Sequence, residues 1–434
     1  MNLRKKALII TYYWPPSGGS AVQRWVKFVK YLKDFNWEPV VYTPSNPHYP
    51  VMDSSFTNDI PGDIIILRNK IWEPYKLFKW FTGRGKNENL ITGFTYETKK
   101  SRFRDAISNW LRSNFFIPDA RKFWIRPSVK YLTRYLLENP ADVLITTGPP
   151  HSMHLIGLGI KKQLNIKWVA DFRDPWTKID FYSELLLTKY ADKKHHTLEK
   201  AVIKQADQII VVSETMKKDF INSGGKNIVV IPNGFDEDDF PDDPVETDQK
   251  FSIVYTGVLN QARNPKSLWE VFAEVISENK YFAKSLEIKL IGNIDHSILK
   301  NLDEYKLSDF VQKFDFLPHD RVIQYQRKAQ VLLLPINNTP NAKGIITGKI
   351  FEYLAARRPI LAIGPTDGDV ADILAETQAG VISDFNDTVI LKKNILHYYD
   401  QFLKKNLEIP TAFLDKYSRR ELSKKLGQIL NQTT

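Results

Sequence analysis

Short apolar runs alternate with amphipathic stretches along the first half of the chain. The run KKALIITYY (5–13) is rich in β-branched residues, and VQRWVKFVKYLKDF (22–35) then repeats its apolar residues at helical spacing. Further strand-like runs are WEPVVYTP (37–44), ADVLITTGPP (141–150), KWVADFRDP (167–175), DQIIVVSE (207–214) and IVVIPNG (228–234). Because strands and helices alternate, this half predicts a parallel sheet with helices on both faces.

The alternation restarts after DEDDFPDDPVETDQK (236–250), an acidic and apolar-poor segment that is typical of a linker. The later predicted strands are FSIVYTG (251–257), LEIKLIG (286–292), VQKFDFL (311–317), VLLLPI (331–336) and PILAIG (359–364), with a helix over KSLWEVFAEVISE (266–278). We therefore predict an α/β protein of two doubly wound domains, 1–235 and 250–412, with a terminal helix (413–434) that packs back on the first domain. Ligands of such sheets bind at the carboxyl ends of the strands, so we expect the site in the cleft between the domains.

The bulk composition excludes several kinds of site. The 434 residues include no cysteine, which rules out disulfides and cysteine-ligated metals and is compatible with a reducing compartment. No stretch approaches the roughly 20 apolar residues of a membrane-spanning helix. The opening MNLRKKALIITYYWPPSGG predicts a first strand rather than a signal peptide.

The net charge of +11 is concentrated in one segment. Residues 68–134 alone hold 16 Lys and Arg against 5 Asp and Glu, and residues 71–134 are also rich in Trp and Phe. This composition suits an anionic membrane surface, whereas no nucleic-acid motif accompanies it. Helices with aromatic residues in the core and basic residues in solvent give the same composition. The sequence favours neither the membrane surface nor these ordinary helices. We expect a membrane partner through 71–134 and no nucleic acid.

Five motifs in fixed order resemble a known family. They are PPSGGSAVQR (15–24), VVSETMKKDF…VVIPNGFD (211–236), YTGVLNQARNPKSL (255–268), QVLLLPI (330–336) and KIFEYLAARRPIL (349–361). Together they resemble the GT-B glycosyltransferases of family 4, over nearly the whole chain. The resemblance implies two Rossmann-like domains that face a central cleft. It also implies transfer of a sugar from a nucleotide-diphosphate sugar with retention of the anomeric configuration.

The resemblance also indicates the partners. The donor would be a UDP- or GDP-sugar, and no cofactor or metal is expected, because fixed cations can neutralise a leaving diphosphate. Combined with the basic aromatic segment, it predicts a glycan acceptor, lipid-linked, in the assembly of cell-surface polysaccharide or lipopolysaccharide. The enzyme would be cytoplasmic and peripheral at the inner face of the plasma membrane.

Lys349 and Glu352 lie three residues apart and therefore on one face of a helix. Spacing alone predicts a solvated ion pair worth on the order of tenths of a kcal/mol. The resemblance implies instead that Lys349 stabilises the donor diphosphate in catalysis and that Glu352 binds the ribose hydroxyls. Gly257 and Gly348 would let the backbone approach phosphate.

The family often places an arginine directly after the glycine at 257, where this chain has Val258. Arg263 and Lys266 are the available cations, and we expect Arg263 to assist Lys349. A solvated loop arginine is the alternative for Arg263.

The main departure from the family pattern is at Gly344. The second glutamate, which contacts the transferred sugar and lies eight residues before Glu352, is Gly344 here. Another group or the backbone of residues 343–346 would have to hold the sugar, or activity would be lost. A non-catalytic GT-B subunit that binds sugar or a partner is therefore one alternative, and a UDP-sugar epimerase on the same fold is another.

The acceptor side is expected at the ends of the first-domain strands. Gly18 and Gly19 follow the first strand, where the family approaches donor phosphate, although a plain capped turn explains them nearly as well. Arg24 is a candidate phosphate contact on the helix that follows.

The stretch VADFRDPW (169–176) is the most chemically dense part of the first domain. Asp171 is a candidate catalytic group that would stabilise oxocarbenium charge or accept a proton, and Arg173 would meet phosphate or pair with Asp174. A structural Asp–Arg network is the alternative. His151 ends a neighbouring strand and is a weaker candidate for the same site.

Overall fold

Thirteen strands form two parallel sheets in the part of the chain that the computed structural model describes. That part comprises residues 4–49, 51–73, 102–241, 243–410 and 413–434. The strands of the first sheet are β1 (Lys5–Ile10), β2 (Trp37–Pro44), β3 (Ile65–Asn69), β4 (Val143–Gly148), β5 (Lys167–Phe172), β6 (Gln208–Val211) and β7 (Ile228–Val230). Their spatial order is β3-β2-β1-β4-β5-β6-β7.

The second sheet repeats this arrangement with six strands. They are β8 (Phe251–Thr256), β9 (Leu286–Ile291), β10 (Val311–Phe314), β11 (Val331–Pro335), β12 (Ile360–Ile363) and β13 (Gly380–Ser383), in the order β10-β9-β8-β11-β12-β13. In each sheet the order reverses beside the first strand, between β1 and β4 and between β8 and β11. Such a switch point leaves a crevice at the carboxyl ends of the two strands, where doubly wound proteins bind ligands.

Helices connect the strands, as parallel pairing requires. Fourteen α-helices lie in the described residues: α1 (Ser20–Leu32), α2 (Arg102–Phe115), α3 (Lys122–Glu138), α4 (Ser152–Lys161), α5 (Lys189–Gln205), α6 (Glu214–Asn222), α7 (Lys266–Glu278), α8 (Lys280–Ser285), α9 (His296–Glu304), α10 (His319–Lys328), α11 (Lys349–Ala355), α12 (Asp369–Thr377), α13 (Thr388–Leu403) and α14 (Arg419–Thr433). None of these helices is both long enough and apolar enough to cross a membrane.

Each sheet is buried on both faces. On β1, Leu8 and Ile10 join one apolar cluster, while Ala7 and Ile9 join the cluster on the opposite face. Successive side chains of a strand point to opposite faces, so a strand covered on both sides has to be apolar throughout. This is why the strands appear in the sequence as continuous apolar runs.

The chain divides into two units. The first comprises Met1–Pro232 and Leu422–Thr434, and the second comprises Asn233–Glu421. The end of α14 belongs to the first unit, where Leu426 and Leu430 enter the apolar cluster of β1 and Trp37 Nε1 donates to the carbonyl of Gly427 at 3.3 Å. The acidic segment 236–250 lies in the second unit, and it includes a 3₁₀ turn at Glu237–Asp239 capped by Asp236.

The α/β class and the two doubly wound sheets confirm the sequence prediction. Two strands were missed, β3 and β13, and both are edge strands with partly exposed side chains. The other two edge strands, β7 and β10, were predicted, and residues 64–67 at β3 form the apolar run IIIL, so position at the edge does not by itself explain the two misses. The terminal helix begins at Arg419, whereas the sequence predicted helix from residue 413. The cleft between the domains stays a prediction.

Candidate active site

A glycine turn shapes the carboxyl end of β8. Gly257 has a φ of +103°, and a Cβ built on it would lie 2.7 Å from Cε of Lys349 and 3.1 Å from its Nζ. Gly292, at the end of β9, has a φ of +114°, and its Cβ would lie 2.4 Å from the carbonyl oxygen of Gly257. Side chains are excluded at both positions by backbone conformation and by space. The two glycines therefore let a lysine side chain reach the strand end at the switch point.

Two cations meet around Tyr255, the residue before the end of β8. Nζ of Lys349 lies 5.3 Å from the centre of the Tyr255 ring. Arg263 donates from Nε to Oδ1 of Asn337 at 2.9 Å, and from Nη1 to the carbonyl of Val258 at 3.3 Å and to the Tyr255 hydroxyl at 3.5 Å. Within the described part of the chain, neither Lys349 nor Arg263 forms an ion pair with a carboxylate. This arrangement favours an anion at the end of β8.

Glu352 lies one helical turn beyond Lys349, and its carboxylate is oriented by two donors. Gln326 donates to Oε2 at 3.0 Å, and Nε2 of His319 lies 3.4 Å from Oε1. Burial disfavours ionisation of Glu352, but the hydrogen bonds from His319 and Gln326, together with the nearby charges of His319 and Lys349, outweigh it and lower its pKa. The side chain stays 21% exposed. A fixed, ionised carboxylate with access to solvent can accept hydrogen bonds from two vicinal hydroxyls.

Gln326 connects this carboxylate to β8. It is fully buried on α10, and the amide nitrogen that binds Glu352 also donates to the Thr256 hydroxyl at 3.1 Å. The Thr256 backbone nitrogen in turn donates to the hydroxyl of Tyr353 at 3.3 Å. The carboxylate is thus held from the neighbouring helix as well as from α11 itself.

The loop before α11 is open above its glycine. A Cβ on Gly348 would meet nothing within 4 Å, although the backbone there has an ordinary helical conformation. The adjacent Thr347 hydroxyl is buried without a hydrogen-bond partner among the described residues.

Gly344 closes a 3₁₀ turn at Ala342–Gly344, and the carboxylate of Asp367 is bound to Lys343 at 2.5 Å. The structure therefore brings together the predicted donor residues Gly257, Arg263, Gly348, Lys349 and Glu352.

The first unit places Asp171 in a different setting from the one expected of a catalytic group. Its side chain is fully buried at the end of β5 and accepts from Arg24 Nη2 at 2.8 Å, from Trp25 Nε1 at 2.7 Å and from the Thr147 hydroxyl at 2.9 Å. Burial opposes ionisation, but the charge of Arg24 and these hydrogen bonds outweigh it and lower the pKa of Asp171. Arg24 is equally buried and donates further to the carbonyls of Ile231 and Pro232. This geometry favours the structural alternative for Asp171 and gives Arg24 a structural role, and the catalytic role of Asp171 and the phosphate contact of Arg24 stay untested predictions.

Arg173 and His151 lie close together at the ends of β5 and β4. Arg173 donates to the carbonyl of Ala21 at 2.8 Å and to that of Pro149, and burial lowers its pKa. The His151 ring stacks on Trp176 at 4.8 Å, and its pKa is lowered well below the usual value by burial. His154, one helical turn later, is also buried, and its pKa is lowered to about 3. These imidazoles are therefore neutral near pH 7.

The two glycines after β1 differ from each other. Gly18 is packed against the loop at residues 51–53, because a Cβ there would lie 2.8 Å from Cβ of Asp53. Gly19 has a φ of +87°, and a Cβ on it would meet nothing within 4 Å. Gly18 thus has a packing role in this structure, whereas Gly19 is open.

Several residues of the second-unit site were not found from the sequence. Asn337 follows β11 at the switch point, so its position at a strand end could have indicated it. Gln326 and His319 lie on or at the start of α10, and nothing in the spacing of a polar helix marks which of its side chains meets Glu352. No group of three or more His, Asp or Glu side chains that could hold a metal occurs in the described residues.

Comparisons with known proteins agree with this architecture. Residues 90–239 match the family model described as Glycosyltransferase Family 4, and no curated protein matches the chain. The chain is similar to sucrose-phosphate synthase from Thermosynechococcus elongatus, with 14% identity, 99% of each chain covered and a TM-score of 0.62. It is similar to Anabaena HepE in complex with UDP-glucose, with 12% identity, coverage of 99% and 100% and a TM-score of 0.62.

The lipopolysaccharide glycosyltransferase WaaG is a third similar structure, with 12% identity, coverage of 98% and 99% and a TM-score of 0.57. At these identities the structural likeness shows the fold, and the family match supplies the activity class. The chain has the GT-B fold, and the match of its residues 90–239 to the family 4 model supports a glycosyltransferase activity.

Proposed function

We propose that the chain transfers a sugar from a nucleotide-diphosphate sugar to a glycan acceptor with retention of configuration. The observation that carries this proposal is the meeting of Lys349 and Arg263 around Tyr255, beside the oriented carboxylate of Glu352. A nucleoside diphosphate offers two anionic groups and a ribose with two vicinal hydroxyls. These are the chemical partners that two cations and one fixed carboxylate can bind together.

In this reaction the bond between the anomeric carbon and the diphosphate oxygen breaks, and a bond to an acceptor hydroxyl oxygen forms. The diphosphate leaves with the electron pair of the broken bond, so negative charge develops on it, and its leaving oxygen takes up the proton that the acceptor hydroxyl loses. Lys349 and Arg263 stabilise the developing charge, because they are already held in place by the Gly257 turn and by Asn337. Glu352 positions the ribose and thereby the reacting bond.

The donor base and the pathway are the finer parts of the proposal. One similar structure holds UDP-glucose and another is named as a lipopolysaccharide enzyme, which supports a UDP-sugar donor and a role in cell-surface polysaccharide assembly. The basic aromatic segment supports a lipid-linked acceptor and a peripheral position at the cytoplasmic membrane face. Residues 74–101 of that segment lie outside the described residues.

The donor assignment is tested by removing one charge. Lys349→Ala is expected to lower turnover with the preferred nucleotide sugar by about 100-fold, since a fixed group that stabilises transition-state charge is typically worth a factor of this size. Lys343→Ala is the matched control, because Lys343 lies in the same loop but is bound to Asp367 at the surface. A thermal-shift screen with UDP-, GDP- and ADP-sugars first identifies the donor, since a ligand of the native state raises its stability.

The result also separates the alternative functions. If Lys349→Ala keeps normal turnover while folded, the diphosphate assignment is wrong. A chain that binds the nucleotide sugar without transferring or hydrolysing it is a binding subunit, the alternative that Gly344 suggests. Conversion of a free UDP-sugar in the absence of any acceptor identifies an epimerase.

A further inference from the structure

Two segments of the first unit that lie far apart in the sequence meet on one surface. The end of α2 contacts the loop that precedes α5: the Asn114 side-chain amide donates to the carbonyl of Leu186 at 2.8 Å, and its oxygen accepts from the backbone of Thr188 at 2.7 Å. The loop thus joins α2 in forming this surface, although residues 181–194 carry no marked excess of charge in the sequence.

Large apolar side chains are exposed on this surface. Trp72 and Phe123 pack edge to face at 4.7 Å, and Trp110 and Phe115 do so at 5.9 Å. With the adjacent loop and helix they form what we call the aromatic–lysine surface, whose exposed apolar members are Trp72 (54%), Trp110 (39%), Phe115 (58%), Phe123 (40%), Leu186 (57%) and Tyr190 (72%). So many large apolar groups clustered at a surface indicate an interaction site.

Lysines lie among these rings. Nζ of Lys122 lies 5.1 Å from the Phe123 ring centre, and Nζ of Lys194 lies 5.9 Å from that of Tyr190. The two ammonium groups are close enough that the charge of Lys194, in addition to burial, lowers the pKa of Lys122. In the described residues, no carboxylate forms an ion pair with either lysine. Like charges gathered without a counter-ion favour an anionic partner.

We propose that the aromatic–lysine surface docks the protein on an anionic lipid bilayer. The charge is complementary to acidic headgroups, while the aromatic and leucine side chains can enter the interfacial layer beneath them. The proposal rests on the proposed function only in that a lipid-linked acceptor would be presented there. The proposal adds residues 181–194 to the membrane contact predicted for residues 71–134. It also names the side chains that make this contact.

The geometry favours a bilayer over other anionic partners. Single-stranded nucleic acid stacks its bases on flat exposed rings along a basic groove, whereas here the rings are paired edge to face and the surface also includes the exposed aliphatic Leu186. A protein interface of this apolar content has few charges at its centre, whereas Lys122 lies between Phe116 and Phe123. Lysines interleaved with aromatic and aliphatic groups are the composition of a membrane-surface site.

Vesicle co-sedimentation with the full chain tests the proposal. Phosphatidylcholine vesicles that contain phosphatidylglycerol are expected to bind the protein, and pure phosphatidylcholine vesicles much less. Lys122→Gln with Lys194→Gln should weaken binding about thirtyfold, since each lysine near an anionic surface is worth about a factor of five. Phe115→Ser with Tyr190→Ser should weaken binding to both kinds of vesicle, because it removes the apolar contact.

Matched controls come from the second unit. Lys280→Gln with Lys393→Gln removes two exposed lysines, and Tyr281→Ser with Leu403→Ser removes two exposed apolar groups, 81% and 62% exposed. Both controls should bind vesicles like the unaltered protein. Equal loss in the control and surface variants would overturn the proposal, as would binding to single-stranded nucleic acid in preference to anionic vesicles.

The outcome is independent of the catalytic proposal. Lys349→Ala should retain vesicle binding while losing transfer. The lysine variant should lose vesicle binding yet keep donor binding in the thermal-shift measurement. If the lysine variant binds vesicles normally while Lys349→Ala is inactive, the docking surface is wrong and the donor site stands.

Discussion

At the scale of single residues, the donor site depends on how Glu352 is held. Gln326 and His319 orient a carboxylate that burial alone would tend to protonate. Lys349 contributes a charge that acts on Glu352 without forming a hydrogen-bonded ion pair with it among the described contacts. Spacing suggested a surface ion pair between Lys349 and Glu352, but in the structure each side chain keeps a separate charge that a ligand can bind.

Gln326→Leu should weaken donor binding about tenfold, because a hydrogen bond to a charged group is lost and the Glu352 carboxylate is no longer fixed. It should also raise the pKa of Glu352. The acid limb of the pH profile for donor binding should then move to higher pH, since donor binding needs the ionised carboxylate. Calorimetric titration of the nucleotide sugar over a range of pH measures both effects.

Gln312→Leu is the control for this variant. Gln312, on the edge strand β10, donates to Glu287 on β9 at 2.8 Å at a solvent-exposed position, so the same type of hydrogen bond is removed outside the site. Its donor affinity and pH profile should be unchanged. A similar loss in both variants would show that Gln326 acts through stability rather than by positioning Glu352.

Gly257→Ala should abolish turnover, because the new methyl group would occupy the space of the Lys349 side chain. Gly224→Ala is the matched control: its φ of +87° is similarly strained, but its Cβ would lie 3.8 Å from the nearest atom. Both substitutions should lower the free energy of unfolding by about 1–3 kcal/mol. Steady-state kinetics should then show loss of activity in Gly257→Ala alone, and equal activity in the two would contradict the role given to this turn.

At the scale of elements, the buried pair of Arg24 and Asp171 ties α1 to the ends of β4 and β5. Asp171→Asn should destabilise the first unit by about 3–5 kcal/mol, because it leaves a buried guanidinium without a counter-charge. Turnover per folded molecule should be retained if the role is structural. Asp219→Asn, which removes a partly exposed carboxylate bound to Lys178 in the same unit, should cost less than about 1 kcal/mol.

Urea unfolding followed by tryptophan fluorescence measures these losses. A folded Asp171→Asn variant with unchanged stability and no turnover would restore the catalytic hypothesis for Asp171.

The elements themselves were largely predictable from the sequence, because central parallel strands are apolar on both faces and carry their own signal. The strands β3 and β13 were missed: β13 has only four residues, whereas β3 overlaps the apolar run IIIL (64–67), which could have indicated it. Lys349, Glu352 and Gly257 could be chosen from short motifs. Gln326 could not, because it comes from another element and only folding brings it to Glu352.

At the scale of the whole molecule, the two units should respond differently to acid. His151 and His154 are buried and neutral in the first unit, and their pKa values are lowered, that of His154 to about 3. The unfolded chain binds protons at these side chains below about pH 6.5, whereas the folded chain does not, so stability falls as pH falls. His154, whose pKa in the folded chain is about 3, should remove about 1.4 kcal/mol per pH unit between pH 6 and 4.

Thermal unfolding between pH 7 and pH 4 should therefore show earlier loss of the first unit. His154→Gln should reduce this pH dependence, since it removes one proton-binding group from the unfolded chain. A pH dependence that is identical in the variant would contradict the assignment of acid sensitivity to this imidazole.

The assignment of residues 422–434 to the first unit makes that unit discontinuous along the chain. Its apolar cluster needs Leu426 and Leu430, which the ribosome adds only after all of residues 233–421. The second unit is one continuous stretch, and its apolar clusters can be completed earlier during translation. Until α14 arrives, the matching face of the first sheet lacks its cover, so removal of α14 should leave an aggregation-prone chain even though the candidate donor site is intact.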